Sequence, residues 1–451
     1  MTDQHKGLLV SSLQLKLKSA LGNRLVGSGV ISLLIKVAGA GLSYLMFVAF
    51  ARLLTAQAYG VFAFSFNLAI VISACAGFGY STAVMRYWPK YLAQGKLEYA
   101  KGVIKMGSLL TALGVLVALA IGFIGDKIDG PLSVQNYLSV SVLAATFCLG
   151  DFAAGVLRAQ NSVVGSMLPR DVLWRIIAPL FAFAAVWFGY AAGSTMAIYI
   201  CAAVLLVLIF GQIYLIGEGV EKATGQVVAK SDWSGTKSSL LPLWGASIVF
   251  AMIQQMDVVV VGYLMGGAET GAYFAAQKTA TLLSLVLIAG GLVTAPTMAA
   301  LYEKKNHAEL QKLCKQLVIS IAVVTLLGFV FLVFTGNILL GFFNHSFTSA
   351  YSILLILALG CMIDAISGPT AYLMQMTAYE KSYLKIMVVC YVLVILLQFV
   401  LIPRFGGLGA AFASAGGTII WNLWSIWLLR VKAKLDPSII GLIWPVEQKN
   451  R

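Results

Sequence analysis

Long apolar runs dominate the chain and are separated by short polar segments. Each run is about twenty residues long, the length that an α-helix needs to cross the hydrocarbon core of a bilayer. Twelve such runs begin at Val26, Val61, Val103, Tyr137, Val172, Thr195, Leu241, Ala272, Leu317, Tyr351, Tyr383 and Leu408. The pattern therefore predicts an all-α polytopic membrane protein with about twelve transmembrane helices.

The longest polar segment between runs divides the predicted spans into two sets of six. This segment, residues 217–240, carries Glu218, Glu221, Lys222, Lys230, Asp232 and Lys237. We predict a cytoplasmic basic tail at residues 1–25, a first six-helix bundle at 26–216, a cytoplasmic linker at 217–240, a second six-helix bundle at 241–430 and a cytoplasmic tail at 431–451.

Short sequence matches occur in the same order in the two halves. Gly60 matches Gly271, Asp151 matches Asp364 and Phe188 matches Phe405, at offsets of 211, 213 and 217 residues. Because each half has an even number of spans, both halves start on the same side, and the predicted repeat is parallel about an axis along the membrane normal. Two such bundles around a central cavity are what transport by alternating access requires.

Composition and charge support this assignment and set the orientation. The chain has 60% hydrophobic and 11% charged residues, whereas soluble proteins have about 25% charged residues. Of its 31 lysines and arginines, 26 fall in segments on one side, Arg52, Lys127 and Arg404 fall on the other, and two fall within spans. By the positive-inside rule, both termini are cytoplasmic. The net charge of +14 then reflects loops beside anionic lipid, and no nucleic-acid partner is expected.

Five ionisable residues fall within the predicted spans, where a charge costs roughly 2.5–3.5 kcal/mol even on lenient insertion scales. They are Lys36, Asp151, Asp257, Lys278 and Asp364. Lys36 lies about 15 Å into the first span, too deep to reach the interface easily. For Lys278 and Asp257, an ion pair with each other is the structural alternative to a functional role. Asp151 and Asp364 are related by the repeat and favour a role in helix bending or conformational change.

The sequence contains no recognisable catalytic constellation. His5, His307 and His345 lie in different segments, the six cysteines have no metal-ligand spacing, and no Gly-rich phosphate loop is present. The predicted outer loops are also short. We therefore expect a transporter and not an enzyme, with no cofactor or metal other than a coupling cation such as H⁺ or Na⁺.

Several short motifs together resemble a known family. They are Ala51-Arg52-Leu53-Leu54 followed by Tyr59-Gly60, Asp257 with Gly262, Gly271 and Tyr273, and Ile402-Pro403-Arg404-Phe405-Gly406 with Gly409-Ala410-Ala411. Over residues 27–430 the chain resembles the polysaccharide-transport (Wzx-type) family of the multidrug/oligosaccharidyl-lipid/polysaccharide flippase superfamily. The resemblance implies a flippase for an undecaprenyl-diphosphate-linked oligosaccharide (an O-antigen, capsule or exopolysaccharide repeat unit) in the bacterial inner membrane. Membrane lipid and polysaccharide polymerase or export machinery are the implied partners.

A diphosphate headgroup needs cations, and Lys36 and Lys278 are the only bases within the predicted spans. We predict that both contact the phosphates, while Arg86, Arg158 and Arg175 at the cytoplasmic rim attract the incoming anion. The acids of the spans, Asp151, Asp257 and Asp364, are predicted to serve ion coupling or conformational change. Two alternatives stay open. A cation-coupled multidrug exporter would require an acidic cavity, and a membrane glycan polymerase or ligase is disfavoured by the short outer loops.

Overall fold

The computed structural model describes residues 31–125 and 137–444, and the predictions for the two end segments and for Lys127 lie partly or wholly outside these ranges. The first half contains α1 (Ile31–Leu53), α2 (Ala56–Ala76), α3 (Tyr80–Ala93), α4 (Leu97–Gly125), α5 (Tyr137–Ala159), α6 (Val163–Leu168), a π-helical turn (Pro169–Leu173), α7 (Trp174–Trp187) and α8 (Ser194–Thr224). The second half contains α9 (Trp233–Met265), α10 (Gly267–Thr281), α11 (Ser284–Glu303), α12 (His307–Phe343), a 3₁₀ turn (His345–Ala350), α13 (Tyr351–Ile366), α14 (Thr370–Gln375), α15 (Glu380–Phe405), α16 (Gly407–Leu428), a π-helical turn (Leu429–Ala433) and α17 (Ile440–Ile443).

Eleven helices of the described residues are long and apolar enough to cross a membrane. The remaining predicted span is the run formed by α6, the π-helical turn and α7, which is continuously helical from Val163 to Trp187. The helix that carries the fifth predicted span therefore begins at Val163 and not at Val172, and Arg170 and Arg175 lie on this helix and not in a separate connection. The prediction from apolar runs places this start too late, because charged residues interrupt the apolar sequence here. Arg170 and Arg175 are accommodated on the helix because both have hydrogen-bonding partners inside the protein.

The order of helices and breaks is the same in the two halves, as the predicted duplication requires. The broken pair α2–α3 corresponds to α10–α11, the pair α5–α6 to α13–α14, and α4, α7 and α8 to α12, α15 and α16. The break between α2 and α3 depends on Gly79, whose φ is +65°. A Cβ at this position would also lie 2.6 Å from the backbone nitrogen of Trp244. A larger residue would therefore strain the turn and separate α3 from α9.

The predicted linker and C-terminal tail are more ordered than expected. Helix α8 runs to Thr224 and α9 begins at Trp233, so the non-helical connection is residues 225–232 and not 217–240. Polar residues such as Glu218 and Lys222, which form an ion pair one turn apart, extend α8 beyond its apolar part. The described end of the chain packs on the second half, where the backbone N–H of Ile439 donates to the carbonyl of Ile366 at 2.9 Å.

The two halves contact each other mainly through α2 and α3 against α9 and α10. At the end of the spans opposite the basic segments, an aromatic cluster closes the space between the halves. We call this cluster the outer seal; its members are at most 2% exposed and comprise Phe47, Phe50, Tyr59, Phe62, Phe274 and Phe343. Beside it, a Cβ at Gly60 would lie 1.5 Å from the carbonyl oxygen of Gly267, so α2 and α10 are in backbone contact.

A side chain of α1 also ties the outer ends of the halves together. The guanidinium of Arg52 donates to the carbonyl oxygens of Gly341 at 2.9 Å and of Phe342 at 2.6 Å, at the end of α12. A cation at a helix C-terminus is favoured because the last carbonyls of a helix lack partners within it. Together with the outer seal, this contact closes the structure on the outer side.

Candidate functional site

A central cavity of about 460 Å³ lies between the halves and borders Phe47 of the outer seal. Its walls come from α1–α5, the first π-helical turn and α7 of the first half, and from α9 and α10 of the second half. A side cavity of about 270 Å³ shares Ser43, Arg175 and Lys278 with it and adds Lys36 and Asp171. Because these three residues line both cavities, the two cavities adjoin. Their combined size falls in the range of ligand pockets.

Positive charge exceeds negative charge around these cavities. The four cations are Lys36, Arg170, Arg175 and Lys278, and the two carboxylates are Asp151 and Asp171. This leaves a surplus of two positive charges. Surrounded by apolar helices, such a surplus raises the local concentration of anions more than it would at an open surface.

Lys278 lies half-buried on α10, between aromatic rings of the outer seal. Its ammonium is 5.5 Å from the ring centroid of Phe47 and 4.9 Å from that of Phe274. These distances allow cation–π attraction. Among the ion pairs of the described residues, none includes Lys278. The structure therefore holds this cation without a counter-ion, against the faces of two rings.

Lys36 joins Lys278 at the side cavity, as the sequence predicts. It is exposed and lies on α1 seventeen residues before Leu53, which is about 25 Å along the helix axis from the outer end. Lys36 is thus displaced towards the cytoplasmic end relative to Lys278, and no ion pair of the described residues includes it. The two lysines both line the side cavity, and Lys278 also lines the central cavity.

The first π-helical turn and the start of α7 each supply one further cation that the sequence analysis did not place in the site. Arg170 forms an ion pair with Asp151 on α5. One turn later, Arg175 donates to the carbonyl oxygen of Gly39 on α1 and lies 3.7 Å from Asp171. The Nε of Arg175 is buried without a hydrogen-bond partner among the described residues. The sequence does carry a signal for this site, because charged residues follow Pro169 beside an apolar run. The structure forms a π-helical turn there, and such turns are frequent at functional sites.

Among the described residues, the acids of the second half do not pair with the lysines, so the alternative of an ion pair between Lys278 and Asp257 is wrong. Asp257 accepts hydrogen bonds from Gln398 at 2.9 Å and from Ser414 at 2.7 Å. It lines a separate cavity of about 120 Å³ beside α15 and α16, whereas Lys278 faces the central cavity. The rotation of α9 directs the carboxylate away from α10, and sequence spacing alone does not fix that rotation.

The repeat-related acids have different surroundings. Asp151 lines the central cavity beside Arg170, whereas Asp364 accepts a hydrogen bond from Asn422 at 2.9 Å. Within residues 31–125 and 137–444, no group of three histidine, cysteine or acidic side chains is placed to hold a metal ion.

Arg86 and Arg158 lie away from both cavities. Arg86 is exposed on α3 with its guanidinium 5.7 Å from the ring of Tyr87. Arg158 donates to the carbonyl oxygen of Ala154, one turn back on α5. Neither residue lines the central or the side cavity. Of the predicted phosphate contacts, the structure brings Lys36 and Lys278 together and leaves Arg86 outside.

Known proteins are similar to the chain over most of its length. The family model described as polysaccharide biosynthesis protein matches residues 25–302, and the MatE family model matches residues 242–400. The uncharacterized membrane protein MJ1068 of Methanocaldococcus jannaschii is 24% identical over 87% of this chain and 81% of its own length. The probable low-salt glycan biosynthesis flippase Agl15 of Haloferax volcanii is 25% identical over 87% of this chain and 80% of its own length.

The fold is also similar to solved structures. An inward-facing conformation of a multidrug resistance MATE family transporter of the MOP superfamily matches with a TM-score of 0.66. The match covers 90% of this chain and 98% of that chain at 13% sequence identity. At this identity, the likeness shows a shared fold.

The unpaired state of the lysines predicts how their removal affects stability. Lys278→Ala should change the free energy of unfolding by no more than about 1 kcal/mol, because the loss of cation–π contacts is offset by removal of an uncompensated charge. Lys36→Ala, at an exposed position, should behave similarly. Arg170→Ala should destabilise the protein by about 2 kcal/mol, since it leaves Asp151 unpaired within a span, at a site partly open to water.

Thermal unfolding of the purified variants in nanodiscs measures these effects. If Lys278→Ala is as destabilising as Arg170→Ala, and Asp257→Asn or Asp364→Asn restores its stability, then Lys278 has a structural carboxylate partner and our description of the cavity is wrong.

Proposed function

The chain belongs to the polysaccharide biosynthesis protein family, and on that premise we propose that it is a flippase for a lipid-linked oligosaccharide. The substrate is an oligosaccharide attached to undecaprenyl diphosphate, which moves from the cytoplasmic to the outer leaflet of the cell membrane. The sugar and diphosphate enter the cavities between the halves, and the polyprenyl tail stays in the surrounding bilayer. Polysaccharide polymerase or export machinery would take up the product on the outer side.

The cationic surplus of the cavities is the observation that carries this proposal. A diphosphate ester brings at least two negative charges, and the cavity walls hold two more cations than carboxylates. Lys36 and Lys278 have free ammonium groups that can donate charge-assisted hydrogen bonds to phosphate oxygens. Arg175 adds an Nε–H that has no partner among the described residues. In this proposal, the diphosphate is the counter-ion of Lys36 and Lys278, which form no ion pair among the described residues.

Alternating access gives this site a route across the membrane. The outer seal closes the cavities on the side away from the basic segments, and in our proposal this arrangement is the cytoplasm-facing state. Movement of the halves would separate α2 from α10 and free Arg52 from the end of α12. The duplicated architecture provides two bodies of similar shape for such a movement.

A cation-coupled multidrug exporter is the second candidate, because the MatE family model matches the second half and the fold is that of MATE transporters. A cationic drug would be repelled by the surplus of positive charge in the cavities, whereas an anionic headgroup would be attracted. The charge of the cavities therefore favours the flippase.

Coupling to H⁺ or Na⁺ is proposed for the acids of the spans. Asp257 and Asp364 are hydrogen-bonded to uncharged Gln398, Ser414 and Asn422, so a bound cation or proton can neutralise them without breaking an ion pair. Asp151 differs, because Arg170 neutralises it already and the pair lies on the cavity wall. A diphosphate can compete with Asp151 for Arg170 and thereby link substrate entry to movement of the π-helical turn.

Transport by purified protein tests the phosphate contacts. In proteoliposomes that contain undecaprenyl-diphosphate-linked oligosaccharide, Lys36→Ala and Lys278→Ala should each reduce flipping about tenfold or more, the effect of losing one charge-assisted hydrogen bond. Lys36→Arg should keep part of the activity because the charge remains while its geometry changes. Lys312→Ala is the matched control, since Lys312 is exposed on α12 and lines neither cavity.

Parental flipping by both alanine variants would remove the phosphate role. Export of a cationic drug with no flipping of the lipid-linked oligosaccharide would instead establish the second candidate function.

The same proteoliposomes test the coupling acids. Asp151→Asn, Asp257→Asn and Asp364→Asn should each slow flipping, and the two variants of the second half should lose any stimulation by an imposed pH or Na⁺ gradient. None of the three should change which oligosaccharide is accepted. Wild-type rates and an unchanged gradient response in all three variants would leave these acids as helix-packing residues.

A further inference from the structure

Helix α9 presents a face of unusual composition to the central cavity. Ser247, Phe250, Ala251 and Gln254 follow the spacing of one helical face, and all four line the cavity together with Gln255. The cations of the site come from other elements, namely α1, the π-helical turn, α7 and α10. The α9 face therefore contributes an uncharged wall that combines an aromatic ring, a hydroxyl and two amides.

Phe250 provides the aromatic ring of this wall. It is 66% exposed and makes no ring contact with any other aromatic residue that the structure describes. The other five aromatic rings of the cavity all contact further rings. Phe66, Phe147 and Trp174 pack against one another at centroid distances of 5.5–6.4 Å, Phe47 contacts Phe274 and Phe152 contacts Tyr80. The face of the Phe250 ring is thus available to a ligand, whereas the other five rings are engaged in packing.

The neighbouring amides are also available. The side-chain amides of Gln254 and Gln255 form no hydrogen bond within residues 31–125 and 137–444, so each offers one acceptor and two donors to the cavity. Glutamines that have a packing role in this protein do form such bonds. Gln398 donates to Asp257, and Gln212 donates to the carbonyl oxygen of Gly165 at 2.9 Å. The free amides therefore do not follow the helix-packing pattern.

The wall lies at the depth of the cationic site. Gln254 is eleven residues from the end of α9 at Met265, and Lys278 is eleven residues from the start of α10 at Gly267. Because these helices are consecutive and joined at Gly266, both side chains lie about 16 Å from their outer ends. Phe250 lies one helical turn closer to the cytoplasmic end. A group attached directly to a phosphate at Lys278 can therefore reach Gln254 and Phe250.

We infer that Phe250, Gln254 and Gln255 of α9 form the sugar-binding wall of the central cavity. A pyranose ring presents an apolar C–H face that packs against an aromatic ring, and its hydroxyls pair with the donors and acceptors of an amide. A fully ionised diphosphate has no apolar face for the Phe250 ring and no donor for the amide carbonyls, and the polyprenyl tail has no hydrogen-bonding groups to offer the amides. This inference rests on the proposed flippase function and adds the residues that distinguish sugar from carrier.

Binding of two probes separates the sugar from the carrier. The probes are undecaprenyl diphosphate without sugar and undecaprenyl-diphosphate-linked oligosaccharide, and their affinities are measured with the full-length protein in nanodiscs. Wild type should bind the sugar-bearing probe more tightly. Phe250→Ala and Gln254→Ala should each lose about tenfold for that probe and keep their affinity for undecaprenyl diphosphate. Phe250→Trp should retain the preference because it retains a ring.

Two further variants complete the design. Lys278→Ala should weaken both probes alike, since it removes a phosphate contact. Phe331→Ala should weaken neither, because Phe331 is 56% exposed on α12 and lines neither cavity.

Three results would overturn the inference, and they are distinguishable. Equal affinity of wild type for the two probes would show that no sugar wall exists. A full sugar preference in Phe250→Ala and Gln254→Ala would place the wall elsewhere, while leaving the flippase proposal intact. Failure of wild type to bind either probe would remove the proposed function together with the inference.

Discussion

Compensation of charge inside apolar helices is the constraint on which the rest of this structure depends. An ionised group that leaves water without a partner costs several kcal/mol, and most charged side chains of the spans have one. Arg170 has Asp151, and Asp257 has Gln398 and Ser414. Lys36 and Lys278 are the exceptions within the described residues. Their positions beside the cavities explain how they persist, because water or an anion can reach them there.

The duplicated architecture places Lys36 and Lys278 beside the cavities between the halves. The breaks after α2 and after α10 occur at corresponding points of the two halves, and the outer seal joins the outer segments of both helices. The cavity therefore ends at the seal, and Lys278 lies against its rings. A ligand bound at Lys278 would contact the surfaces that must separate for the cavity to open outwards. Under the proposed function, substrate recognition and the gate would thus share residues such as Phe47 and Phe274.

The sequence predicts the architecture well because its signals are long-range averages. Apolar length gives the spans, and depth singles out Lys36 and Lys278, whereas the orientation from lysines and arginines stays a prediction. The rotation of a helix about its axis and the partner of a charged side chain depend on individual contacts and not on averages over the sequence. Adjacent spans make an ion pair between Asp257 and Lys278 an alternative, yet the rotation of α9 turns the carboxylate towards α15 and α16. The sequence predicts a cytoplasmic rim for Arg175 because the helix that carries it begins with residues that have no apolar signature.

The most direct test is an electron cryomicroscopy structure of the protein in nanodiscs with undecaprenyl-diphosphate-linked oligosaccharide. Our account predicts diphosphate density within hydrogen-bond distance, about 3 Å, of the Lys278 ammonium and the Arg175 guanidinium, with the first sugar against α9. Headgroup density outside both cavities, with Lys278 still in contact only with the rings of Phe47 and Phe274, would contradict it.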